Sequence, residues 1–137
     1  MLNRLQAVFA SFDSHECKYL VIEGIAAVLH GVPRATFDPD ILVEATPQNA
    51  QRLLAALVEA GIGTAAMITP EELLVHEITV LQDRVRIDVQ TKTPGLDFAR
   101  AWGRRVSMSY QGQSFDVLCR EDLIASKRAG VRWIWRT

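Results

Sequence analysis

Two carboxylates one residue apart, Asp38 and Asp40 in Phe37-Asp38-Pro39-Asp40-Ile41-Leu42-Val43, are the side chains best placed by type and spacing to do chemistry. The apolar residues that follow read as a strand, and residues two apart in a strand point to the same face. Side by side, two like charges repel, and a cation between them relieves the repulsion. The chemistry that most often uses such a pair is divalent-metal binding together with substrate phosphates. The plainer alternative is a solvated strand end, or an ion pair with Arg34 or Arg86. Arg34 itself carries a guanidinium that can pair bidentately with phosphate or, equally well, with a surface carboxylate.

The elements that must hold these residues can be read along the chain. Residues 2–14 place Leu2, Leu5, Phe9 and Phe12 at helical spacing. His15 lies just past that helix as a solvated or capping residue. The run Tyr19-Leu20-Val21-Ile22 predicts a strand covered on both faces. A turn at Gly24 leads into a short helix over 24–31, stopped by Gly31, and a loop then carries Pro33, Arg34 and Thr36. After the aspartates, Thr46 is an N-cap with Pro47 at the first helical position. Ala50, Leu53, Leu54, Leu57 and Val58 form the buried stripe of that helix, and Gly61 ends it. Pro70-Glu71-Glu72 predicts a turn or a single helical turn. Strands over 75–81 and 85–90 join at Gln82-Asp83-Arg84, with Val85, Ile87 and Val89 on one face and Arg86, Asp88 and Gln90 on the other. A helix over 97–102, a hairpin over 106–118 about Gln111-Gly112, and a helix over 121–129 complete the chain. The last has acidic residues in its first turn and basic ones in its last, as the helix dipole favours. Residues 131–137 read as a short basic tail with Trp133 and Trp135.

The pattern Gly-x-Ala…His-Gly…Arg-x-Thr…Asp-x-Asp, from Gly24 through His30-Gly31 and Arg34-Ala35-Thr36 to Asp38 and Asp40, resembles the minimal nucleotidyltransferases of the polymerase-beta superfamily, in particular the branch found as AbiEii-type toxins. The similarity extends from about Lys18 to about Arg128. It implies an α/β (α+β) fold with a mixed β-sheet and flanking helices. It also implies that Asp38 and Asp40 bind two Mg²⁺ ions (or Mn²⁺) that hold a nucleoside triphosphate. Asp88 then matches the third metal-binding carboxylate, which helps deprotonate the attacking hydroxyl; read alone, it is a charge on an exposed sheet face. Gly24 matches a glycine whose backbone N–H groups cradle phosphates; read alone, it is a turn glycine. Lys127 matches a helix lysine that faces the nucleotide; read alone, it complements the helix dipole.

Two positions depart from the pattern. Glu23 stands where the family has the first glycine of the phosphate turn, bringing a Cβ and a negative charge. Pro39 stands between the aspartates and cannot donate to a ladder, so the strand must be an edge or an end there. The family's Gly-Arg-x-x-Asp and further helix do not follow residue 130.

A chain of 137 residues, 49% hydrophobic and 23% charged, fits one domain over 1–137. A net charge of −1 argues against a bulk electrostatic grip on nucleic acid. No apolar run is long enough for a membrane helix and no signal peptide is evident, so a cytoplasmic location without membrane contact is expected. Cys17 and Cys119 read as buried or capping thiols of a reducing compartment. Three functions follow. The first is transfer of a nucleoside monophosphate to a hydroxyl of a protein, a tRNA or a small molecule, in a toxin–antitoxin setting. The second is a catalytically degenerate module on the same fold, bound to an antitoxin or to a second copy through Trp133 and Trp135. The third is nucleic-acid binding through Lys127, Arg128, Arg132 and Arg136.

Overall fold

The computed structural model describes residues 2–23, 39–83, 85–110 and 112–136. In chain order these form α1 (Leu2–Ser14), β1 (Tyr19–Glu23), β2 (Asp40–Val43), α2 (Pro47–Glu59), α3 (Pro70–Val75), β3 (Ile78–Gln82), β4 (Arg86–Gln90), α4 (Phe98–Gly103), β5 (Val106–Tyr110), β6 (Gln113–Val117) and α5 (Arg120–Arg136). A 3-10 turn at Gly63–Met67 separates α2 from α3. The strands make one six-stranded sheet in the order β3-β4-β2-β1-β6-β5. It is mixed: β1 runs antiparallel to β2 and parallel to β6, and β2 runs parallel to β4. The expected α/β architecture is therefore present. No helix among the described residues is long and apolar enough to cross a membrane.

Strand alternation divides the sheet into two unlike faces. Tyr19, Val21, Ile41, Val43, Ile87 and Val89 are buried on one face with α1, α2 and the 3-10 turn. Phe9 stacks on Phe115 of β6 with ring centroids 4.9 Å apart, and Phe12 lies 4.7 Å from Tyr19. On the other face Leu20, Ile22 and Leu42 are covered by Ala101 of α4, by Leu118, and by Leu96, Phe98, Trp102 and Leu123. This second layer stops short of β3, where Ile78 and Val80 remain exposed. Both faces of β1 are thus covered, as its apolar run requires.

Polar side chains fasten the layers. Asn49, buried in the first turn of α2, accepts from the Lys18 N–H at 2.9 Å and donates to the carbonyls of Lys18 (3.0 Å) and Glu44 (2.9 Å). It ties the entry of β1 to the exit of β2, so the strand pair enters the site from a fixed end. Thr46 caps α2 by accepting from the Asn49 N–H. Ser11 Oγ donates to the Ala56 carbonyl at 2.6 Å, linking α1 to α2. Gly95 has φ +82°, and a Cβ there would meet the Ala125 carbonyl oxygen at 2.8 Å and the Ala129 Cβ at 2.9 Å. Only glycine lets the loop before α4 lie this close to α5.

Several boundaries differ from the sequence reading. Val58 is 44% exposed, and Ala56 takes its place in the buried stripe of α2. Residues 70–75 form a helix because Thr69 and Glu72 make a reciprocal capping box, and β3 begins only at Ile78. The last helix does not end at 129. It continues through the supposed tail to Arg136. One internal glycine costs a helix about 1 kcal/mol, and no proline stands there to stop it.

Candidate functional site

Pro39 directly precedes β2 and is buried. Because β2 lies between β1 and β4, the proline marks a strand end and not a sheet edge. It contributes what it can, a carbonyl oxygen that accepts from the Asp88 N–H at 3.1 Å. On the β1 side the pairing is irregular: Val21 faces Ile41 but Glu23 faces Asp40. Ile22 is the extra residue of this bulge. Bulges of this kind re-aim side chains beside functional sites.

The consequence is a row of acidic positions across three strands. Asp40 is the register partner of Asp88 on the parallel neighbour β4 and of Glu23 on β1. Register partners on adjacent strands, about 4.8 Å apart, share a face. For Asp40 and Asp88 that is the face of Leu42, turned away from the large core. Both aspartates are half-buried. Two segments far apart in sequence therefore deliver two of the three expected carboxylates to one spot.

Asp88 also has a cationic partner. Arg86, two residues earlier on the same strand face, donates from Nε to Oδ1 at 3.0 Å and from Nη2 to Oδ2 at 3.5 Å. The sequence reading offered Arg86 as a partner for Asp38 or Asp40; the structure shows it paired with Asp88. This clamp orients the Asp88 carboxylate and offsets part of its charge.

Asp38, Gly24 and Arg34 lie outside the described residues, as do the 24–31 helix, His30 and Thr36. Lys127 is exposed on α5, on the same helical stripe as Arg120 and Leu123, and makes no ion pair among the described residues. Among the described residues, no group of three His, Cys, Asp or Glu is placed to hold a metal ion. Asp40 and Asp88 supply two carboxylates, and Asp38 is the third ligand the resemblance implies.

Other reactive groups take no part. His15 bonds Glu59 across the α1–α2 contact. Cys17 and Cys119 are free and buried. Burial pushes the Cys17 thiol up to about 12, and it raises that of Cys119 as well. Protonated thiols are poor nucleophiles and poor metal ligands. Sequence reasoning missed the alignment of Glu23 with Asp40. The only local signal was an acidic residue next to Gly24, which read as an obstruction; its register depends on a bulge that no local pattern announces. No family model, no curated protein and no solved structure matches this chain.

Proposed function

We propose that the chain is a Mg²⁺-dependent nucleotidyltransferase that moves a nucleoside monophosphate from a nucleoside triphosphate to a hydroxyl of a protein, a tRNA or a small molecule. The single observation that carries this reading is the register of Asp40 against Asp88 on parallel neighbouring strands. The residue pattern from Gly24 to Asp40 supports it independently. Asp38, Asp40 and Asp88 are the residues that would hold Mg²⁺ or Mn²⁺. When bound, such ions neutralise a triphosphate and acidify an incoming hydroxyl. The chain's own groups do the rest. Asp88, oriented by Arg86, accepts the proton of the acceptor hydroxyl as it attacks the α-phosphorus. The N–H groups at Gly24 and the cations Arg34 and Lys127 bind phosphate oxygens, and pyrophosphate leaves. In a toxin–antitoxin pair, the antitoxin would be a protein that covers this site.

The test is thermal unfolding with Mg²⁺ and each of the four nucleoside triphosphates at millimolar concentration. A nucleotide present at 100 times its Kd stabilises the folded state by about 2.7 kcal/mol. At least one is expected to raise the melting temperature in wild type and none in Asp40→Asn. No shift with any of the four overturns the reading. The Arg86–Asp88 ion pair favours a second reading, a non-catalytic interaction module in which the carboxylate is structural. Nucleotide binding without any transfer of labelled monophosphate to protein, RNA or small-molecule acceptors selects it.

A further inference from the structure

A second site lies on the other side of β1 from the aspartates. A cavity of about 440 Å³ opens where β1, β6 and the start of α5 meet, walled by Ile22, Met108, Val117, Leu118 and Leu123, with Val106 at its rim. Among the described residues, one charged residue lines it: Arg120, the first residue of α5. Arg120 is exposed and makes no ion pair among the described residues. The nearby cation Arg104 is already committed to Asp122. The chamber belongs to the β1–β6–β5 half of the sheet, whereas Asp40 sits one strand beyond β1 on the opposite side.

Four features narrow the occupant. The volume falls within the range of small-molecule pockets, roughly 300–1,000 Å³, and suits a single chain of about eight to ten carbons better than a two-chain lipid. Among the described residues, no lining side chain other than Arg120 forms a strong hydrogen bond, so there a sugar or a nucleobase would bury polar atoms without partners. Met108 is an adaptable wall that tolerates differences in chain shape. The guanidinium forms a planar fork that fits a carboxylate bidentately. We propose that this cavity binds a medium-chain aliphatic carboxylate, with the chain in the apolar chamber and the carboxylate on Arg120. The site stands whether or not the nucleotide reading does, because it shares no residue with the aspartate row.

The test is titration of the full chain with decanoate and with decanol below their micelle-forming or solubility limits, read by calorimetry and by the methyl resonance of Met108. Decanoate is expected to bind saturably at one site, to shift the Met108 methyl, and to bind more tightly than decanol. Arg120→Gln should weaken decanoate about tenfold, the loss of one charge-assisted contact, and leave decanol unchanged. Val106→Trp, a substitution at an exposed rim position, should fill the chamber and abolish binding of both. Should that variant unfold, the Met108 shift in wild type decides the location. Absence of saturable decanoate binding overturns the proposal. So does equal binding to wild type and Arg120→Gln, or a Met108 methyl that does not move. Sedimentation of the protein with phosphatidylglycerol vesicles, without binding of free decanoate, overturns it in favour of a lipid surface.

Discussion

The two faces of β4 set the two halves of the molecule against each other. On one, Ile87 and Val89 are almost wholly buried in the core that also takes in Tyr19, Phe115 and the rings of α1. On the other, Arg86, Asp88 and Gln90 lie beside the exposed Val80 and Ile78 of β3, where the helical layer gives out. The same five residues serve both, because strand alternation separates what holds the sheet from what the sheet presents. The covered face should carry the stability and the open face the chemistry. Mutations chosen from each side can break that division.

The largest effect is expected from the covered face. Phe12→Ala removes a ring packed against Tyr19 and Phe9 at 1% exposure, and should destabilise by about 3–5 kcal/mol. Chemical denaturation measures it directly. A loss below about 1 kcal/mol would show that this face is not the main source of stability. Asn49→Ala comes next. It strips partners from the Lys18 amide and from two carbonyls at the strand ends, and should cost about 2–3 kcal/mol. If Asn49 also fixes how β1 and β2 enter the site, the variant should weaken nucleotide binding although it lies on α2, which a nucleotide titration at a temperature where the variant is folded would reveal.

These two residues also mark what could be read without coordinates. Phe12 was legible because Leu5, Phe9 and Phe12 repeat at helical spacing, and the alternation of Val85, Ile87 and Val89 fixed the buried face of β4 in the same way. The Thr46-Pro47 start of α2 carries its own local chemistry. Asn49 carries no comparable local signal, since two of its three bonds go to Lys18, 31 positions away. The candidate site follows the same rule. The Asp-x-Asp spacing is local and visible. The Ile22 bulge and the alignment of Glu23 and Asp88 with Asp40 depend on which strands become neighbours. The described lining of the Arg120 cavity comes from three separate stretches of the chain and leaves no pattern in any of them.

A smaller effect separates the faces by pH. On the covered side the Cys17 thiol is pushed up to about 12 by burial, against about 8.5 in an unfolded chain. A raised thiol favours the protonated, folded form. Its contribution is whole below the unfolded value and drains away as pH climbs toward 12. Burial also raises the Tyr19 hydroxyl, the first of its causes, so both groups resist alkali in the same direction. Stability should fall between about pH 9 and 12, and Cys17→Ala should flatten part of that fall. An alkaline limb identical in the variant would remove Cys17 from the account.

The smallest stability change should come from the open face, where the functional loss should be complete. Asp88 and Arg86 form a partly exposed pair, 20% and 44% accessible, and such pairs contribute about 0.2–1 kcal/mol. Asp88→Asn is therefore expected to move the denaturation midpoint by no more than this while abolishing Mg²⁺-dependent nucleotidyl transfer. Arg86→Ala should shift stability equally little, because it breaks the same pair from the other end. It should reduce transfer without eliminating it, since the Asp88 carboxylate remains but is no longer held. The two variants separate the readings of the ion pair. If it is structural alone, both change stability alike and neither changes nucleotide binding; if it orients a working carboxylate, nucleotide-dependent stabilisation falls sharply in Asp88→Asn and only in part in Arg86→Ala.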